Sequence, residues 1–195
     1  MQHKAPAADG PISYAFKASL VGAAHRFELT EAGLAWQVAG RSAIWRYVEI
    51  SAVSLSYRPV WMQAHRFRAD IRHKSGARLS VLSTSWHTAA LMAAQNDAYR
   101  AFIRELHARL ASAGSRAELT GGLGRISHST ALVLSVCVGV MLMFLFIRAL
   151  VTGEYPGALF FVGFAALFGW QVGGFVRRNR PIAYSFDHLP AQLLP

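Results

Sequence analysis

The sequence predicts an α+β protein in which an antiparallel sheet domain, closed by an amphipathic helix, precedes a transmembrane helical hairpin. Three observations carry this expectation. Apolar residues alternate with period two from Ile12 to Ser83, the spacing lengthens to three and four between Tyr99 and Leu110, and two long stretches nearer the C-terminal end contain no Asp, Glu, Lys or Arg. With 195 residues, 53% of them hydrophobic, there is room for one soluble domain beside the helical pair and none for a second.

The alternating region resolves into seven short strands. They are expected at Ser13 to Ser19, His25 to Thr30, Leu34 to Val38, Ala43 to Tyr47, Ala52 to Tyr57, Ala64 to His73 and Ala77 to Ser83. Glycine-containing turns at Gly33, Gly40 and Gly76 join neighbours as antiparallel hairpins, because glycine adopts the positive φ such turns require. The sixth strand is the plainest. Phe67, Ala69 and Ile71 fall on one face while Arg66, Arg68, Asp70 and Arg72 fall on the other, so one face is core and the other is wet. After Thr84, the residues Tyr99, Phe102, Ile103, Leu106 and Leu110 form a helical stripe, with Arg100, Arg104, Glu105 and Arg109 off it. That stripe should lie on the open side of the sheet, and Gly114 should stop the helix.

The two uncharged stretches run from Ile126 to Ile147 and from Pro156 to Val176. At ~1.5 Å per residue each exceeds the ~30 Å hydrocarbon core of a bilayer. The expected organisation is therefore a flexible N-terminus (1–11), the sheet domain (12–113), a Gly/Ser-containing linker (114–125), a first membrane helix (126–151), an external turn (152–155), a second membrane helix (156–176) and a basic tail (177–195). Within the linker, Gly121-Gly122-Leu123-Gly124 reads as a flexible joint rather than a phosphate loop, because it lacks the Gly-Lys-Ser ending and follows a helix.

Charge gives the orientation. The chain carries a net +10, and 16 of its 20 basic side chains lie within Met1 to His128. Arg125 stands before that helix and Arg177, Arg178 and Arg180 after the second, while Arg148 and Glu154 stand at the intervening turn. Lys and Arg near membrane ends remain cytoplasmic, so both termini should face the cytoplasm. The opening MQHKAPAADGPISY has no apolar core of the kind a signal peptide needs, so export of the sheet domain is not expected. A single cysteine, Cys137, excludes an intrachain disulfide.

Seven antiparallel strands and a closing helix carry local phrases with a family likeness. HRFELTEAGLAW, AIWRYVEISAVSLSY and AYRAFIRELHARL resemble the corresponding pieces of bacterial pleckstrin-homology-like domains in small membrane proteins, where an F-x-L-T-x-x-G-L phrase opens a hairpin and an I-x-x-V turn leads into the next strand. Here the latter residues are Ile50 and Val53, and the likeness covers Ile12 to Ala113. It implies a PH-like barrel or sandwich capped by the helix. The closing NRPIAYSFDHLPAQLLP is similar to tails of small bacterial membrane proteins. The resemblance implies a bacterial inner-membrane location. Many PH domains bind phosphoinositides through the first hairpin loop, yet that region offers only Lys17 and Arg26 here.

No catalytic motif accompanies this layout. A G-x-S-x-G elbow is absent, and the 8 histidines are scattered, with His65 and His73 too far apart along one extended strand to share a metal. No enzymatic role, metal, cofactor or nucleic-acid partner is expected. The basic face of the sixth strand is the candidate site: Arg66, Arg68 and Arg72, joined by Arg78 on the hairpin partner, make a positive patch suited to an anionic surface or an acidic protein. A solvated strand face partly neutralised by Asp70 explains the same pattern. In the second membrane helix Gly163, Gly169 and Gly173, the last two in G-x-x-x-G register, can admit another helix, with Gly139 of the first helix as a contact. Gln171 is expected to bond across to a neighbour. Two functions follow as expectations: a membrane-anchored binding module for a protein or anionic lipid, or an accessory subunit of a larger membrane complex, with oligomers allowed.

Overall fold

The computed structural model describes residues 12–59, 66–88 and 91–195. The expected flexible N-terminus and the start of the sixth strand at Ala64, with His65, lie outside the described residues. The chain divides into two compact units, Met1–Thr120 with Ala183–Pro195, and Gly121–Ile182.

In the first unit β1 (Ile12–Phe16), β2 (His25–Leu29), β3 (Leu34–Val38) and β4 (Arg41–Trp45) form an antiparallel sheet in sequence order. Registers such as Tyr14 opposite Phe27 and Phe27 opposite Trp36 keep the apolar alternation on one face. A second sheet is built on β5 (Ile50–Tyr57), β6 (Phe67–His73) and β7 (Arg78–Leu82), and a separate hairpin follows in β8 (Thr84–Thr88) and β9 (Leu91–Ala94). Helix α1 (Asn96–Ser112) then buries Tyr99, Phe102, Ile103, Leu106 and Leu110, the predicted stripe. The Phe102 ring lies 5.6 Å from Tyr14 and 6.3 Å from Phe27, so the helix sits on the apolar face of the first sheet. Tyr14 is anchored at its polar end as well, donating to the Leu82 carbonyl at 2.7 Å. Each such large side chain, taken from water, contributes roughly 1.5–3 kcal/mol. At Gly114 the chain turns left-handed, with φ +64, and the Ser115 amide closes onto the Leu110 carbonyl.

Of the barrel or sandwich expected, the closed barrel does not form. Among the described residues the strands make three open sheets: β4 pairs only with β3, and β7 pairs only with β6. Beyond β4 the chain turns through a 3-10 segment, Tyr47–Glu49, and beyond β7 it breaks at Ser83, whose hydroxyl accepts from the Phe67 amide. Both ends are thereby diverted before they meet.

Two further strands occupy stretches expected to be linker and tail. β10 (Glu118–Gly121) and β11 (Ile182–Ala183) extend the second sheet in the order β11-β10-β5-β6-β7. The residues after β11 belong to the first unit. The Tyr184 amide donates to the Leu119 carbonyl at 3.2 Å, Leu193 is fully buried in a 3-10 turn (Ala191–Leu193) against β5, and Arg100 donates to the Pro195 carbonyl. Apolar Leu193 and Leu194 explain the difference: the segment is basic only at its beginning, and its later part has its own core residues.

The second unit is a pair of helices, α2 (Arg125–Val151) and α3 (Tyr155–Arg178), long and apolar enough to cross a membrane. Thr152 and Gly153 make the turn, and Leu142, Ala149 and Ala158 are buried between the helices. The Gly121 to Gly124 stretch is fixed rather than free. A Cβ on Gly122 would collide with the Arg180 and Asn179 carbonyls, its φ is +84, and the Leu123 amide donates to the Asn179 carbonyl at 2.9 Å.

Candidate functional site

Strand β6 presents its predicted alternation: Phe67, Ala69 and Ile71 are buried, Arg68 and Asp70 are half-exposed, and Arg72 is exposed. The four arginines on or beside this strand do not behave alike. Arg68 is engaged, its Nε and Nη2 donating to one Asp70 oxygen at 2.8 and 2.7 Å, while Nη2 also reaches the Ser80 hydroxyl at 3.0 Å. Ser80 in turn donates to Asp70 at 2.6 Å, so a closed polar network cancels this part of the charge. Arg66 is half-buried, and burial followed by the field of Arg68 pulls its guanidinium below the ordinary arginine value.

Arg72 and Arg78 are the remaining pair. They face each other across the β6–β7 ladder, both exposed, and neither has an ion-pair partner among the described residues. Like charges placed opposite one another in an antiparallel pair repel. An arriving anion relieves that repulsion. The structure thus splits the predicted patch into a neutralised half, Arg68 with Asp70, and a charged half, Arg72 with Arg78.

A second polar cluster escaped the sequence reading. His107 on α1 is buried, and its Nδ1 lies 2.7 Å from the Ile103 carbonyl, which can only accept, so Nδ1 carries the proton. Nε2 is then the acceptor for the Tyr184 hydroxyl at 3.0 Å, and Phe186 packs edge-on against the ring. Burial pushes the imidazole below its usual value and the Tyr184 phenol above its own. A signal was present: His107 stands four residues after Ile103 and three before Leu110, on the buried stripe. Its partner, 77 residues away, gave none.

Family models, curated proteins and solved structures all fail to match this chain.

The other predicted residues are dispersed. Arg125 opens α2, with its side chain outside the described residues, while Arg177 and Arg178 close α3 and Arg180 follows it. A Cβ on Gly139, Gly163, Gly169 or Gly173 would meet nothing within 4 Å, so α2 and α3 do not approach each other closely at these glycines. Gly139, Gly169 and Gly173 instead line an open groove between the helices, which Gly163 does not. Gln171 is exposed and makes no hydrogen bond among the described residues, because it sits on the outward face of α3. Among the described residues no group of three or more His, Cys, Asp or Glu gathers at metal-binding distance; His73, for instance, has Glu49 at 3.6 Å, while its Nδ1 is bonded to Ser75.

Proposed function

We propose that this chain is a bacterial inner-membrane protein that holds a PH-like domain at the cytoplasmic face through its helical hairpin and acts by binding. The partner is an anionic lipid surface or an acidic protein. The observation that carries the reading is the uncompensated Arg72/Arg78 pair, side by side on an exposed ladder of a unit whose chain runs directly into two helices of membrane-spanning length. Four strands in order, then three more, a short hairpin and a closing helix, support the PH-like reading. The Arg68–Asp70–Ser80 network supports it from the other side, since it holds the strand face rigid beside the free pair.

The test uses the full chain in nanodiscs of neutral lipid, because the residues after Ala183 belong to the sheet unit and a fragment ending at Ala113 would lack them. Binding of phosphatidylserine vesicles is compared with that of phosphatidylcholine vesicles. At ~1 kcal/mol per basic residue, replacing both Arg72 and Arg78 by Gln weakens acidic-vesicle binding by about 30-fold at low salt. Equal retention on both vesicle types rules out the lipid reading. An acidic protein captured from membranes by the wild type and lost in the double variant upholds the protein reading.

A further inference from the structure

The two helices of the second unit leave an open groove of about 660 Å³ along one side of the pair. It runs from Phe146 and Phe161 to Arg177, past Gly139, Gly169 and Gly173, where the absence of side chains deepens it. Between Phe161 and Arg177 the helix advances ~24 Å, enough to pass from headgroup level beyond the middle of a ~30 Å hydrocarbon core. Its polar groups are few. The Ser135 hydroxyl is spent within its own helix, donating to the Ala131 carbonyl at 2.7 Å, and among the described residues the one charged lining residue is Arg177. That arginine stands in the last turn of α3, at the end of the groove, with no ion-pair partner among the described residues.

The size of the groove selects its occupant. Spread over ~24 Å, a volume of 660 Å³ gives a mean cross-section of ~27 Å², whereas an α-helix ~10 Å across needs about 80 Å². A third helix, whether from a second copy or a foreign subunit, would lie across the mouth without filling the slot, whereas a single hydrocarbon chain fits inside it. The charge then selects the headgroup, because a guanidinium at the mouth of an apolar slot pairs with a phosphate and gains from additional negative charge.

We propose that this groove retains one acyl chain of an anionic phospholipid, with the lipid phosphate held at Arg177. The site shares no residue with the Arg72/Arg78 face, so either reading can fail without the other. The experiment is native mass spectrometry of the full chain extracted in mild detergent, with the bound lipid identified by class. Wild type carries about one phospholipid per chain, enriched in acidic headgroups over the parent membrane. Arg177→Gln loses that enrichment about fivefold, the weight of one basic residue at an anionic surface, and Arg177→Lys restores most of it. Arg148→Gln, at the far end of α2, leaves it unchanged. Gly169→Leu fills the slot and lowers retention of every phospholipid class although Arg177 is intact. Unaltered elution and thermal unfolding of each variant exclude misfolding as the cause. A wild type free of phospholipid, unchanged lipid content in both Arg177→Gln and Gly169→Leu, or a lipid-free dimer overturns the proposal.

Discussion

Phe102 in α1 and Phe144 in α2 are the same residue in opposite circumstances: the first is fully buried, the second 64% exposed. The contrast extends across the two units. In the sheet unit most large apolar side chains among the described residues have found protein, Leu20, Val21, Ile44 and Val48 excepted; in the helical unit Val140, Leu159 and Trp170 point outward, and at most 6% of an 18-residue window of either candidate span is buried. One unit carries a core of its own. The other presents continuous apolar surface far beyond what a water-soluble monomer leaves uncovered, which is compatible with a hairpin solvated by hydrocarbon. Identical hydrophobicity therefore has two structural outcomes, and the pattern of interruption by charge distinguishes them.

The sharpest way to break this contrast is to truncate both phenylalanines. Phe102→Ala should cost about 3–5 kcal/mol of stability, read by denaturant unfolding of the detergent-solubilised chain, whereas Phe144→Ala should cost almost nothing in the same measurement. Equal losses would mean that α2 belongs to a protein core. Next in size is Val140→Arg, near the centre of α2, which should oppose membrane insertion by ~2.5–3.5 kcal/mol and move part of the protein out of the membrane fraction. No redistribution would count against the hairpin. Gly122→Ala follows. It forces an L-residue to φ +84 against two carbonyls, so a loss of about 1–3 kcal/mol is expected by thermal unfolding, with Gly124→Ala, which meets no neighbour, near neutral.

The smallest effect sharpens the sheet unit alone. Burial holds His107 below its unfolded value of ~6.5, so the folded ring is neutral where the unfolded ring has begun to bind a proton. The stability this confers is complete above about pH 6.5 and declines as pH falls toward the folded value, because the unfolded state then binds more protons. The midpoint of thermal unfolding should drop between pH 7.5 and 5.5. His107→Asn should flatten the slope without abolishing it, since His25 is shifted in the same direction for the same reason. A slope untouched by the substitution would show that His107 is not the responsive group.

Much of this was legible from residue spacing. Leu34 to Val38 is found as a strand with the expected bounds, the α1 stripe is buried as anticipated, and both uncharged stretches are helices. These are local patterns, written within one element. What escaped is pairing at long range. Glu118-Leu119-Thr120-Gly121 is too short for alternation to register, and Ile182-Ala183 is shorter still; each is a strand only because the other parts of its sheet are in place. The site divides in the same way. Asp70 beside Arg68 was visible as a neutralising charge, but the Ser80 hydroxyl that completes the network, and the opposition of Arg72 to Arg78, depend on the register of β6 against β7.

The placement of the helical pair between β10 and β11 bears on biogenesis. Leu193 and Tyr184, which complete the sheet unit, are synthesised after both helices. If the pair crosses the bilayer, those residues regain the sheet only when two passages have been made; a nascent chain that completed one would strand them on the opposite side, leaving His107 and the β5 surface uncovered. Correct insertion would then be recorded in the solubility of a domain that never enters lipid.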